Sequence, residues 1–373
     1  MSKSYTPGLK VLKNTIILKE RILPIKGEVH STISEKVKAE TVVASTEIPG
    51  NVQMINVANE LNIDANQVPN SMLIKIDEEV KKGQIIARNL GFFGFFKSEI
   101  KSPIDGKLIN VSEVTGQVII SEKPLSIEVD AYIPGKVEKV YDKEGVLIKS
   151  LGTFVQGIIG ISGENKGILK VLVDSPSKQI KVSDLDDSLK NKIVVCGSYI
   201  DYDIYNHASK IGIKGIVCGG FDYENITKIL GSPLGVAITG TEKVMNLILT
   251  EGFGPIDMSK KTFDLLKEND DKYVSINGAT QIRAGVLRPE IFIESLEKTN
   301  SKEFNEDDLI ISEGSIVRVI REPYFGKLGK VVSLPSELMK MKSETMVRVA
   351  EIEFEDKSKE IIPRANLEVI LSN

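Results

Sequence analysis

The sequence predicts two all-β modules on either side of a small parallel α/β layer, a chain of three parts in the α/β plus all-β class. Three observations predict this. Between residues 28 and 87, β-branched stretches broken by Gly, Pro and Asn repeat at a spacing of 43 residues. Between residues 192 and 290, short apolar runs alternate with amphipathic segments of helix length. Beyond residue 309, short alternating strands are punctuated by glycines. The expected boundaries are 1–175, 191–293 and 309–373.

Composition sets the outer limits. A chain of 373 residues suits two or three domains of about 100 to 200 residues each. Hydrophobic residues at 41% and charged residues at 27% describe a globular protein and exclude disorder as the overall state. The net charge of −4 argues against whole-surface affinity for nucleic acid or anionic membrane and leaves a local patch open. Cys196 and Cys218 are the only cysteines, His30 and His207 the only histidines. A zinc finger, a multi-cysteine cluster and a disulfide scaffold are thereby excluded by count. Residues 1–15 lack a continuous apolar core, and nowhere do eighteen apolar residues run together, so no membrane span and a cytoplasmic location are expected. Arginines are few, and Arg283, Arg288, Arg318, Arg321, Arg348 and Arg364 all lie beyond residue 280.

In the first module, the segment from Glu28 to Ala44 lies over the segment from Met72 to Ala87. Ile33 matches Ile76, Val37 matches Val80, Val43 matches Ile86 and Ala44 matches Ala87. Turns rich in Pro and Gly follow at Pro49-Gly50, Pro103 to Gly106 and Pro134-Gly135. Two β-rich copies unable to bury a face alone should pack together as a pseudo-twofold barrel or sandwich. Residues 55–70 read as an irregular or helical connection, and the four glycines between Val146 and Glu164 as bends or close backbone approaches.

The run from Val80 to Ala87 followed by Ser102 to Leu108 resembles the strand-turn-strand pattern of biotinyl and lipoyl carrier domains and their barrel-sandwich hybrid relatives. That resemblance implies a tight hairpin presenting a covalently modified lysine. The chain departs from the pattern there: Lys97 sits near the right place without the flanking residues, so no cofactor is expected. The same segment concentrates Phe92, Phe93, Phe95 and Phe96, a third of the 12 Phe, within five residues. Two readings stay open for them. One is a loop folded back to plug the end of the barrel, the other an exposed apolar lip for a partner.

After a polar linker at 176–190 the pattern changes. Lys192 to Cys196, Gly215 to Cys218, Gly235 to Ile238 and Tyr273 to Ile276 read as strands. Tyr202 to Ile211, Asp222 to Leu230, Glu242 to Leu249 and Ser259 to Asn269 read as helices. One helix between successive strands implies a parallel sheet, whose ligands bind beyond the carboxyl ends of the strands. The candidate binding residues there are Ser198, Asp201, Gly219, Gly220, Thr239, Thr241, Glu251, Thr280, Gln281 and Arg283, suited to an anionic small molecule. The plainer reading is that turns need Gly and helices need Ser, Thr or Asp caps whatever binds. Asp201 and Asp222 read as caps. Arg283 and Arg288 either serve a ligand or pair with acids at a domain interface. Cys196 and Cys218 end the first two strands at equivalent points and read as small buried residues.

A charged linker precedes the last module. Gly314 to Ile320 and Gly326 to Val332, joined by a turn holding Tyr324 and Phe325, resemble the KOW motif of ribosomal proteins and transcription elongation factors. The resemblance implies an SH3-like barrel that contacts RNA or proteins. Residues 315–342 hold six basic and two acidic side chains, residues 344–360 three basic and six acidic, so one basic and one acidic side are expected. Arg318, Arg321, Tyr324, Phe325, Lys327 and Lys330 are the candidate contacts to phosphate, base or protein.

No nucleophile with an adjacent base is readable, and no catalytic residue is assigned. The leading expectation is an adaptor or scaffold that contacts a larger protein or ribonucleoprotein assembly through the KOW-like barrel and the Phe loop. The alternative is a ligand-binding protein or enzyme using the strand-end loops of the central layer.

Overall fold

The computed structural model describes residues 9–89, 98–232, 237–281, 287–295, 302–303, 311–321, 323–324, 327–341 and 346–371. Its first half is one β unit nested inside another. The outer unit opens with β1 (Leu9–Ile22), β2 (Glu28–Val29), β3 (Lys36–Val37) and β4 (Val42–Ile48). The inner unit then intervenes with β5 (Val52–Asn56), α1 (Val57–Leu61), α2 (Val68–Ser71), β6 (Glu79–Val80), β7 (Ile85–Asn89), β8 (Ser98–Lys101), β9 (Gly106–Val111) and β10 (Gln117–Ser121). The outer unit resumes with β11 (Leu125–Asp130), β12 (Gly135–Tyr141) and β13 (Gly145–Gln156).

The ladders show the nesting. β4 pairs with β11, Ile48 opposite Leu125, as β7 pairs with β8, Asn89 opposite Ser98. β3 meets β12 with Val37 opposite Gly135, as β6 meets β9 with Val80 opposite Gly106. The Pro134-Gly135 turn therefore belongs to the outer unit, and the inner unit occupies the place where the hairpin of β4 and β11 would turn. The 43-residue repeat extends to single hydrogen bonds. Ser34 and Asp77 both take left-handed backbone, φ 72° and 75°. Their N–H groups donate to Val137 and Leu108, each at 2.8 Å, and His30 and Leu73 donate to Val43 and Ile86, again each at 2.8 Å.

Each unit nonetheless buries its own core. Val57, Leu61, Val80, Ile86, Leu108 and Ile120 form one cluster; Val37, Val43, Tyr132, Val137, Val146 and Ile148 form another. Among the described residues the expected shared core is absent, each unit having its own set of paired strands. Phe92, Phe93, Phe95, Phe96 and Lys97, between β7 and β8 in sequence, lie outside the described residues.

The central layer comprises β14 (Ile159–Ile161), β15 (Glu164–Val171), β16 (Ile193–Val195), α3 (Tyr202–Ile211), β17 (Gly215–Phe221), α4 (Tyr223–Leu230), β18 (Ala237–Ile238), β19 (Asn246–Phe253), α5 (Lys260–Lys267), β20 (Tyr273–Asn277), β21 (Thr280–Gln281), β22 (Glu290–Glu294) and β23 (Lys302–Glu303). β15, β16, β17 and β19 are parallel neighbours in that order. The flanks are antiparallel: β14 on β19, β20 on β15, β22 on β20 and on β13. The sheet is thus mixed, not purely parallel. Two sequence expectations are corrected here. The second half of the segment expected as a helix from Glu242 to Leu249 belongs to β19, a buried central strand whose apolar run Leu247 to Leu249 suits either period. Ala237–Ile238 leaves the parallel set and pairs antiparallel with Thr280–Gln281.

The C-terminal module holds β24 (Ile316–Val319), β25 (Leu328–Ser333), β26 (Leu338–Lys340), β27 (Met346–Phe354), β28 (Lys359–Pro363) and β29 (Leu367–Leu371). Antiparallel ladders run β29, β24, β25, β27, β28 around Val317, Val331, Ile352, Phe354 and Leu367. β1 ties the parts together. It pairs with β29 at Leu9 and Lys10, with β23 at Thr15 and Ile16, and with β13 from Val11 to Ile22. The fold is mostly β, built on one large mixed sheet that crosses all three sequence segments. Among the described residues, no helix is long and apolar enough to cross a membrane.

Candidate functional site

The carboxyl ends of the parallel strands are closed by the chain itself. β19 leads into a segment at 254–258 that folds back over the end of β17. A Cβ on Gly219 would lie 2.3 Å from the Ile256 carbonyl oxygen, and one on Gly220 would lie 2.0 Å from that of Gly254. Both glycines permit this close backbone approach. Ser198 is 2% exposed and donates to the Asp257 carboxylate at 2.5 Å. Asp201 caps α3, accepting from the Ile204 N–H at 2.9 Å. Tyr199 donates to Asp222 at 2.6 Å, and burial with that bond pushes its phenol up to about 12.

The remaining strand-end candidates are likewise engaged. Glu242 turns its carboxylate onto the N–H groups of Thr239 and Gly240 at 3.0 and 2.9 Å, and the Thr239 and Thr241 hydroxyls bond each other at 2.8 Å. That loop already holds an anion, the chain's own. The buried Thr280 hydroxyl accepts from the Gly160 N–H at 2.9 Å, and Gln281 is fixed by its N–H to Leu287. Arg283 lies outside the described residues.

Glu251 and Arg318, expected in two different sites, meet in one. Glu251 is on β19, 6% exposed, and Arg318 on β24, 2% exposed. The guanidinium Nη1 lies 2.9 Å from the Glu251 carboxylate. The other carboxylate oxygen accepts the Ser259 N–H at the start of α5, at 2.9 Å. Arg318 is therefore removed from the outward contact surface, and Glu251 from the ligand loops. β29 places Glu368 opposite Arg318, and Arg288 reaches Glu368 at 2.5 Å. For Arg288, the interface reading is the one realised. Burial holds the Glu368 carboxyl above its ordinary value, against the pull of Arg288 and Arg318.

Of the remaining C-terminal candidates, Arg321, Tyr324 and Lys327 lie between β24 and β25, and Lys330 stands opposite Ile316 at the start of β24. Arg321, Lys327 and Lys330 are exposed. The Tyr324 ring packs on Phe354 with centroids 5.4 Å apart, and the Lys327 ammonium stands 5.7 Å from the first ring and 5.2 Å from the second. Glu360 accepts from the Tyr324 hydroxyl and raises its phenol. Lys330 faces Glu353 across β25 and β27. Basic and acidic side chains thus interleave on this sheet, and Arg321 and Lys327 are exposed cations in the segment joining β24 to β25. Phe325 lies outside the described residues.

A groove of about 430 Å³ runs between β1, α5 and the C-terminal module. Lys13, Lys260 and Lys261 face Asp264, Glu268 and Glu355 within it, and burial lowers Lys261 from its ordinary value. Three cations balanced by three carboxylates give no preference for an anion. Sequence reading also missed a second charged joint, between the outer unit and β15. Arg21 binds Glu164 at 2.5 and 2.8 Å and the Asp130 carbonyl at 2.7 Å, while Lys166 bonds Asp130. The available signal was the rarity of arginine before residue 280, where only Arg21 and Arg88 occur. The chain matches no protein-family model and no curated protein sequence.

Proposed function

We propose that this chain is a non-catalytic adaptor whose C-terminal module, read as a KOW-type SH3-like barrel, contacts a larger protein or ribonucleoprotein assembly. The observation that carries this is the division of the module's arginines. Arg318 is spent inside the joint with the central layer, while Arg321, two residues past the end of β24, stays exposed, as does Lys327 at the Tyr324 ring. A fixed base and a free cationic end suit a docking element better than a mobile tether.

The nested first half, read as two barrel-sandwich hybrid units, supports the same role. It adds a second β module without a readable reaction centre. The self-closed strand ends, with Gly219 and Gly220 covered by residues 254–258, weigh against the alternative of an anionic ligand there.

The test uses the full chain. A labelled single-stranded RNA should shift in a salt-dependent way, or the chain should sediment with large particles of a cell lysate. Either association should be lost when Arg321→Glu and Lys327→Glu are combined. No shift at low salt together with sedimentation at the top of the gradient would remove the proposal.

A further inference from the structure

β5 is an open edge. In the sheet ordered β5, β10, β9, β6, only β10 pairs with it among the described residues. The Glu122 N–H donates to the Asn51 carbonyl at 2.8 Å. In an antiparallel ladder, alternate residues turn their backbone groups to opposite sides. Asn51, Gln53 and Ile55 therefore face β10, and the N–H and C=O of Val52 and Met54 face outward. Among the described residues nothing bonds those groups. Val52 and Met54 are 60% and 62% exposed, and their row continues through Ile119 toward Ile109, 43% exposed.

The outer unit supplies an internal comparison. Leu18 to Ile22 stands opposite Gly145 to Lys149 as Val52 to Asn56 stands opposite Gln117 to Ser121. The outer segment carries Lys19, Glu20 and Arg21; the inner one carries no charge and no proline. Soluble proteins blunt an open edge with charge, proline or brevity, because its unpaired amides otherwise recruit another strand. One copy of the repeat is blunted and the other is not.

We propose that β5 is a homodimer interface, in which two copies of this chain pair β5 with β5 antiparallel about Met54 and join two four-stranded sheets into one. Self-pairing about a twofold axis sets residue 54 against itself, 53 against 55 and 52 against 56. A charge at the centre would face its own copy at close range, and β5 has none. A strand from a different protein would be selected by charge or side-chain pockets, neither of which this edge offers. The pairing is isologous and closes at two copies. The sheet's other edge, β6, is two residues long and carries Glu79 in an ion pair with Lys123 at 2.8 Å, so it does not extend the assembly.

Sedimentation velocity of the full chain over a range of concentrations tests this. The wild type is expected to reach twice the mass of one chain, and Met54→Lys to halve that mass while keeping the wild-type circular dichroism spectrum, since the side chain is exposed in the single chain and the fold does not need it. A short bis-maleimide should link Met54→Cys chains into covalent dimers and leave Glu20→Cys chains, altered at the equivalent outer position, unlinked. Native Cys196 and Cys218 are fully buried and do not compete. A wild type of single-chain mass throughout would overturn the proposal and leave the edge to a strand of another protein. A dimer that persists in Met54→Lys, or equal linking at both positions, would overturn it as well.

Discussion

The guanidinium of Arg318 and the carboxylate of Glu251 meet at 2.9 Å in the joint between the central layer and the C-terminal module, with side chains 3% and 6% exposed. The pair does two jobs, because Glu251 also receives the Ser259 N–H that begins α5. Removing one partner leaves the other charge buried without compensation, which costs about 3 to 5 kcal/mol. Arg318→Ala is therefore expected to lower stability by about that amount in a urea titration. The exposed Lys327→Ala should change it by less than about 0.5 kcal/mol. Arg318→Leu combined with Glu251→Leu should recover part of the loss, the nonadditive outcome of a double-mutant cycle. Equal effects of Arg318→Ala and Lys327→Ala would show that the joint is not closed in solution.

Glu368 gives the same joint a pH dependence. Burial raises its carboxyl above the ordinary value of 4.5, more than Arg288 and Arg318 lower it. The folded chain then holds this proton more tightly than the unfolded chain does. Stability from this group is full below the ordinary value and is lost as pH rises through the raised one. The stability difference between wild type and Glu368→Gln should accordingly shift against the wild type as pH rises from 4.5 upward. A difference that is flat, or that moves the other way, would show that the arginines outweigh burial.

The repeat was legible because its signals are local. Val37 with Val80, Val43 with Ile86 and Ala44 with Ala87 are buried in both units, as their type requires. The match of Ile33 with Ile76 has another origin: both are exposed, at 64% and 54%, beside the left-handed Ser34 and Asp77. The nesting was not legible, since the pairing of Ile48 with Leu125 spans an entire second unit and no local pattern encodes it. α3 matched its reading from Tyr202 to Ile211 because Asp201 caps it and Gly212 ends it in left-handed backbone. β19 did not, because Leu247 to Leu249 suits a helix or a buried strand equally and ladder partners on both sides decide. The joint was misassigned for a related reason. Charge type was visible at Glu251 and Arg318, but burial is set by the packing of two segments far apart in sequence.

Gly220→Ala tests whether the strand ends are closed. Its new Cβ would lie 2.0 Å from the Gly254 carbonyl oxygen, and backbone cannot rotate away as a side chain can. The segment at 254–258 must move, loosening the Ser198 to Asp257 bond. A loss of about 1 to 3 kcal/mol is expected from overpacking alone, read from the denaturation midpoint. Full stability in this variant would mean that residues 254–258 do not rest on β17 and that the crevice is open to a ligand.

The two cysteines provide a probe of the same layer. Val195 stands opposite Val217, so Cys196 and Cys218 follow at neighbouring points of β16 and β17, both fully buried. Burial raises both thiols well above their ordinary value, so the reactive thiolate is scarce at neutral pH. Access as well as ionisation therefore requires the layer to open. In a native thiol assay neither cysteine should react on the timescale on which both react in denaturant. If opening means unfolding across the joint, Arg318→Ala should speed the native reaction by the same free energy it removes from stability, whereas Lys327→Ala should leave it unchanged. Rapid labelling of the wild type would place the thiols in an accessible site and contradict the closed layer.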